Sequence, residues 1–377
     1  MTQYIIILGA LVLSALCGFI ILPIIMNFCK ERGLYDIPNS RKIHKNAIPR
    51  LGGISFLPSM TLATIILFVV HHQFFTTHQI SISLWSVCFF LSLAIIYGVG
   101  LVDDLIGLGA KVKFAAQIIA ALIMPFSGLY INDLYGFCGF HEIPFWVGAL
   151  LTVFVIVFIS NAINLIDGID GLSAGLSLIA LSGFLLSFLR DPSMVAYCIL
   201  IAGLIGVLIP FMYFNIFGKA ENNRKIFMGD SGSLSLGFIL GFLFVKHTMD
   251  NPLAFTERPD SAMMLSCSLL LVPVLDVVRV SLVRLRHHVP MFQADKNHIH
   301  HKLMRAGLNQ HQALVVILSL ALFFIALNTV VWLLLKDLTV VVVVDVALWL
   351  LFHYVLDTVI VKKGGHVYQP NPETPAP

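Results

Sequence analysis

Charge is what this sequence has least of: 11% of its 377 residues are Asp, Glu, Lys or Arg, against about a quarter in soluble domains. That scarcity, beside 58% hydrophobic residues and a mean hydropathy of +0.93, excludes an ordinary water-soluble domain. Paired cysteines are missing too. Cys17, Cys29, Cys88, Cys138, Cys198 and Cys267 are scattered through or beside apolar segments with no CxxC among them, so they read as small packing residues. No basic region precedes the first apolar run, and the segment is expected to persist as a helix rather than be removed as a signal peptide. The net charge of +3 calls for no nucleic-acid partner, because membrane topology alone concentrates basic residues on one side.

What the chain has is one apolar run after another, near the roughly 17 to 25 residues that cross the hydrocarbon as a helix. Eleven spans are predicted, at 4–29, 52–71, 82–102, 113–128, 144–163, 171–189, 194–214, 232–247, 262–283, 312–335 and 338–360. The expected fold is therefore an all-α polytopic integral membrane protein. One transmembrane domain covers 1–360, and a Pro-rich tail, 361–377, is expected to be disordered. With the N-terminus outside, only Arg190, Lys246, Arg258 and Lys336 of the 23 Lys and Arg residues fall on the outer side. The positive-inside rule then puts the C-terminus in the cytoplasm.

The polar motifs gather on that inner side: RKIHKNAIPRLGG (41–53), GLVDDLIGLGAKVK (100–113), NAINLIDGIDG (161–171), KIFMGDSGSLSLG (225–237) and ADKNHIHHKL (294–303). Any one aspartate here reads equally as a helix cap. Five together, Asp103, Asp104, Asp167, Asp170 and Asp230, would repel one another unless a cation compensates, and hard oxygen donors suit magnesium, with manganese as its substitute. Successive Asp103 and Asp104 diverge by about 100° on a helix, whereas Asn164, Asp167 and Asp170 share a side. Lys45, Arg50, Lys111, Lys113 and Arg224 are candidate phosphate partners, though each is also an ordinary inside-positive anchor. His298, His300 and His301 match no common zinc spacing and suit phosphate contact or proton transfer. The segment 277–288 alternates apolar and basic residues, which predicts that the ninth helix continues past the membrane and lifts the histidine loop over the site. Asp345 and His353 are expected to face the helix bundle.

Five motifs in this order resemble the polyprenyl-phosphate N-acetylhexosamine-1-phosphate transferases, glycosyltransferase family 4, over roughly residues 1 to 310. The closer likeness is to the undecaprenyl-phosphate GlcNAc-1-phosphate transferase-like branch, since AIPRLGG and HIHH stand where the muramoyl-pentapeptide branch carries GTPTMGG and three successive histidines. The resemblance implies transfer of a sugar 1-phosphate from a UDP-N-acetylhexosamine to undecaprenyl phosphate at the cytoplasmic face of the bacterial inner membrane, releasing UMP. That is the first membrane step of a cell-surface polysaccharide, and a homodimer is compatible with it. By motif, it implies that Asp230 and Asp167 hold magnesium. Asp103, Asp104, Asp170, His300 and His301 would be catalytic. Lys45, Lys113, Asn164, Asn215, Phe227 and His298 would bind substrate, Phe227 by stacking on uracil. The linker from Asn215 to FMGD is longer than the family's and lacks its proline. The alternatives are phospho-N-acetylmuramoyl-pentapeptide transfer, which uses the same chemistry, and a secondary transporter, which would place its ionisable residues near the midplane. A prenyltransferase would need paired NDxxD-type motifs, and an intramembrane aspartyl protease two aspartates deep within helices.

Overall fold

The computed structural model describes residues 2–36, 47–74, 83–222, 224–250, 260–291 and 295–369. Helices occupy all eleven apolar stretches. They are α1 (Thr2–Arg32), α2 (Phe56–Phe74), α3 (Leu84–Ile106), α4 (Ala110–Phe126), α5 (Phe145–Ile166), α6 (Leu172–Phe188), α7 (Val195–Met212), α8 (Asp230–Thr248), the pair α9 (Ala262–Leu269) and α10 (Leu271–Arg286), then α12 (Gln310–Leu335) and α13 (Leu338–Lys362). Short α11 (Ile299–Arg305) lies between α10 and α12. Among the described residues seven segments are long and apolar enough to cross a membrane, or eight if the bent α9–α10 pair counts as one. α8 falls outside that set, its first half being rich in Ser and Gly and its last turn holding Lys246 and His247. It needs no apolar coat, being buried along its whole length from Ser231 to Thr248.

The core forms around α7 and α8. A helix hidden on all sides sits at the centre of a bundle, and small residues let its neighbours approach. A Cβ on Gly237 of α8 would lie 2.6 Å from the Ser160 Cα of α5, and Ser160 Oγ donates to the Leu234 carbonyl at 3.1 Å. Asp345 is buried where Asn328 Nδ2 donates to it at 3.0 Å, and His353 lies against Trp349. Both face the bundle.

Three expectations need correction. The fold is not wholly α: β1 (Tyr35–Asp36) pairs with β2 (Ile48–Pro49), and β3 (Asp133–Phe137) with β4 (Phe140–Glu142), both antiparallel. The ninth stretch is not one straight helix, for α9 and α10 meet at 63°. Pro273 explains the break, since it has no N–H for the Leu269 carbonyl and its ring crowds that turn. The tail does not lose order at 361, because 363–369 is described and hydrogen-bonded to the loop before α12 and to the residues around α11; residues 370–377 lie outside the described residues.

Candidate active site

The PRLGG segment and the FMGD loop are laid side by side. Phe227 N–H donates to the Pro49 carbonyl at 2.7 Å, Gly52 N–H to Phe227 at 2.9 Å and Gly53 N–H to Met228 at 2.7 Å. A Cβ on Gly53 would stand 2.2 Å from the Gly232 Cα, so only glycine permits this approach. α8 starts immediately beyond, at Asp230, with its first N–H groups free of intrahelical partners. Asp104, at the end of α3, supplies them: Oδ1 accepts from Asp230 N–H at 2.8 Å and Oδ2 from Ser231 N–H at 2.9 Å.

Asp230 is held as well as its loop. Its Oδ1 accepts from Asn164 Nδ2 at 3.1 Å, and its Oδ2 pairs with Lys113 Nζ at 2.5 Å. Lys113 also reaches Asp103 Oδ2 at 3.1 Å, while Asp103 Oδ1 accepts from Leu108 N–H at 2.6 Å. Asn164 donates a second bond to Ser233 Oγ at 2.8 Å. The ends of α3 and α5 and the start of α8 therefore meet at one ionic knot.

The α5–α6 turn forms the facing wall. Asp170 pairs with Lys225 at 2.5 Å. Asn215, in the π-helical turn Tyr213–Phe217, accepts from Gly171 N–H at 2.6 Å and donates to the Ile226 carbonyl at 2.9 Å. Its amide thus bolts the turn to the strip before FMGD. The Asp167 carboxylate makes no hydrogen bond or ion pair among the described residues and opens onto a cavity. Burial first, then the charges of Asp230, Asp170 and Asp104, push its carboxyl up to about 7.

This cavity, of about 840 Å³, is lined by Asp103, Asp104, Asn164, Asp167, Asp170 and Asp230, with Arg50, Lys225, Phe227, Ser233 and His301. An apolar groove of about 850 Å³ runs along α4, α5 and α10, past Phe114, Leu122, Trp146, Ala149 and Phe154. Asn164 lines both spaces, and Lys113 lines the groove while pairing with two aspartates of the cavity. The cavity lining offers hard oxygens, those of Asp103, Asp104, Asp167, Asp170, Asp230 and Ser233 among them. No three His, Cys, Asp or Glu side chains converge as a ready-made metal cage among the described residues. Such a set fits magnesium, which takes one or two carboxylates together with substrate phosphates.

The histidine loop is built from behind. Asp276 of α10, fully buried, accepts from Arg279 at 2.9 Å, from His298 Nδ1 at 2.8 Å and from Ile299 N–H at 3.0 Å, so it caps α11 from another helix. His298 is committed to this contact and does not line the cavity. His300 is packed against Gly168, where a Cβ would come within 2.2 Å of its Nε2; burial, then its neighbouring histidines, hold its pKa well below the usual value. His301 faces the cavity. Burial, then nearby positive groups, lower its pKa to about 4, so the ring is neutral at working pH.

Of the residues singled out from sequence, Asp103, Asp104, Asn164, Asp167, Asp170, Asn215, Phe227, Asp230 and His301 line one cavity. Lys113 stands at its join with the groove, His298 and His300 behind it, and Lys45 lies outside the described residues. Lys225 was missed in favour of its neighbour Arg224, which is exposed. Asp276 went unread because its partner, His298, is 22 residues away.

The model of glycosyl transferase family 4 matches residues 86–248. The chain is 31% identical over 326 residues, 84% of its length and 82% of the relative's, to a protein of Bacillus subtilis (strain 168) named probable undecaprenyl-phosphate N-acetylglucosaminyl 1-phosphate transferase. It is 32% identical over 292 residues to the undecaprenyl-phosphate alpha-N-acetylglucosaminyl 1-phosphate transferase of Yersinia pestis, covering 76% of this chain and 73% of that one. The protein of the same name from Escherichia coli (strain K12) is 31% identical over 294 residues, covering 76% and 74%.

Proposed function

The chain belongs to glycosyl transferase family 4, and from that premise we propose that it transfers N-acetylglucosamine 1-phosphate from its UDP conjugate to undecaprenyl phosphate, releasing UMP. The relatives' names supply the lipid acceptor and the transferred N-acetylglucosaminyl 1-phosphate, and the family resemblance supplies the UDP donor. The observation that carries the reading is the junction at Asn164 of an anionic cavity with an apolar groove, with Lys113 reaching across. A nucleotide sugar suits the cavity and a polyprenyl chain the groove, so the reacting groups meet where the two join.

In this reading an oxygen of the lipid phosphate attacks the phosphorus that bears the sugar. The bond from that phosphorus to the bridging oxygen breaks, and UMP leaves with the electron pair. A phosphate monoester has a second pKa near 6, so the nucleophile is already mostly dianionic, and positioning with charge neutralisation matters more than proton removal. Lys113 receives the lipid phosphate at the mouth of the groove. Phe227 offers a ring to the uracil, and Lys225, with Lys45 from outside the described residues, accompanies the diphosphate. His301, neutral, donates or accepts a hydrogen bond without adding charge. Asp104 and Asn164 keep Asp230 in place. Magnesium, or manganese in its place, would be held by Asp167 and Asp230 with the diphosphate oxygens and would neutralise charge on the transferring phosphoryl group.

The same reading sets eleven crossings in the inner membrane, an outer N-terminus and a cytoplasmic site, supported by the four outer basic residues out of 23 and by α6 and α8 being helices that lean on protein rather than lipid. Purified protein, undecaprenyl phosphate and magnesium, offered a panel of UDP-sugars, tests it by mass spectrometry of the lipid product. N-acetylglucosamine is expected to be taken; no lipid product from any donor overturns the reading.

A further inference from the structure

After Lys362 the chain turns sharply, Gly365 N–H donating to the Ile360 carbonyl at 2.9 Å, and runs back over the histidine loop. Lys363 Nζ donates to the Ala306 carbonyl at 2.7 Å, just past α11. Arg305 bridges the Val367 carbonyl and the Lys296 carbonyl, both at 3.1 Å. Tyr368 stacks on His287 at the end of α10, ring centroids 3.9 Å apart and planes within 3°. Asn297 and the Gln369 backbone exchange two bonds of 3.1 Å, one in each direction. This last pair copies the reciprocal pattern of an antiparallel bridge, with an amide side chain standing in for one strand.

The loop needs such support. Residues 295–298 form no regular element, and α11 has only seven residues, too few to persist alone. Its orientation is therefore set from outside: by Asp276, Arg279 and Arg284 of α10, which hold His298, the Asn297 carbonyl and Asp295, by Lys302 paired with Asp357 of α13, by burial of Ile299 and Leu303, and by 363–369. Three residues separate Asn297 from His301, which faces the cavity. No residue of 363–369 lines either the cavity or the groove, so any effect of this segment on turnover passes through what it touches, the histidine loop and the end of α10.

We propose that the C-terminal segment 363–369 is a positioning element of the nucleotide-sugar site: a strap that, through Asn297, Arg305 and the Tyr368–His287 stack, holds the histidine loop so that His301 faces the cavity. The assignment rests on the reading that the cavity takes a nucleotide sugar. No residue of the strap touches Lys113, α4 or α5, although the Tyr368–His287 stack lies between Arg284 and Met291 at the α10 side of the groove, so the two KM values measure how its effect divides between the substrates.

The test compares the full chain with a chain ending at Gly364, and with Tyr368→Ala and Tyr368→Phe, all purified with magnesium. Truncation and Tyr368→Ala are expected to raise KM for the UDP-sugar roughly tenfold, the loss of one or two net hydrogen bonds or a ring contact, while kcat and KM for the lipid phosphate change less than about twofold. Tyr368→Phe, which keeps the stack, restores the wild-type KM. Hydrogen–deuterium exchange of the 296–301 amides rises in step with the KM change. An unchanged UDP-sugar KM with unchanged exchange overturns the proposal, as does a rise of both KM values together with a fall in Tm, the mark of plain loss of fold. The exchange measurement needs no turnover, so it judges the strap even if the wild-type chain releases UMP from no donor, a result that would sink the substrate reading instead.

Discussion

Asp104 and Asp230 lie 126 residues apart in the chain, yet the carboxylate of the first accepts the backbone N–H of the second at 2.8 Å. Its other oxygen takes Ser231 N–H at 2.9 Å, so the end of α3 caps the start of α8. With both oxygens committed, Asp104 is better placed to aim the Asp230 loop than to remove a proton. Asp104→Asn turns an amide NH2 toward one of those donors, and an unmet buried donor costs about 1–3 kcal/mol. Activity is expected to fall roughly ten- to hundredfold, with more magnesium required for half-maximal rate. UMP release followed against magnesium concentration checks this; an unchanged magnesium requirement would count against the capping role.

Asp167 ties stability to pH. Its carboxyl is raised from 3.8 to about 7 by burial and by neighbouring aspartates, so between about pH 4 and 7 the folded protein holds a proton that the unfolded chain has released. Without divalent cation, stability therefore falls as pH rises through that window. Asp167→Asn removes the penalty, and in chelator its Tm should exceed the wild type near pH 8 and converge with it near pH 4. Magnesium reverses the trend for the wild type, raising Tm more near pH 8 than near pH 6, because the metal needs the ionised carboxylate. Thermal melts with and without magnesium decide it.

Lys113 is shared between Asp230, at 2.5 Å, and Asp103, at 3.1 Å, while its stem lines the groove. Lys113→Met keeps the stem and removes the charge. KM for undecaprenyl phosphate should rise roughly ten- to hundredfold while KM for the UDP-sugar changes little, as expected for loss of a charge-assisted contact. Initial rates with each substrate varied in turn separate the two.

The groove can be blocked without touching the knot. Ala149 lines it on α5, away from the aspartates. Ala149→Trp should weaken use of undecaprenyl phosphate and spare a short-chain polyprenyl phosphate, because only the longer tail needs the filled space. Competition between the two lipids measures the change.

Much of this was legible in the sequence because both signals are strong. Apolar runs long enough to span a bilayer became helices at all eleven places, and five aspartates of the inner-side motifs came together from α3, α5 and α8 and the α5–α6 turn. What escaped was set by long-range partners or by irregular backbone. Lys225 and Arg224 differ only in which way an aperiodic strip turns them. The bend at Leu270 was hidden in a continuous apolar run, where Pro273 reads equally as the start of a helix. Composition marked 361–377 as disordered, but 363–369 is ordered by Asn297, Arg305 and His287, which composition does not weigh. Asn215 was read as a ligand group, and in the fold its amide is spent on Gly171 and Ile226.

If the enzyme moves sugar and phosphate together, a labelled donor shows it. Purified protein is given magnesium, undecaprenyl phosphate and UDP-N-acetylglucosamine labelled in the phosphate next to the sugar. The label is expected to enter the lipid fraction in equal amount to unlabelled UMP released, and Asp230→Ala to abolish both. Label recovered in free UDP, with unlabelled sugar on the lipid, would contradict this joint transfer.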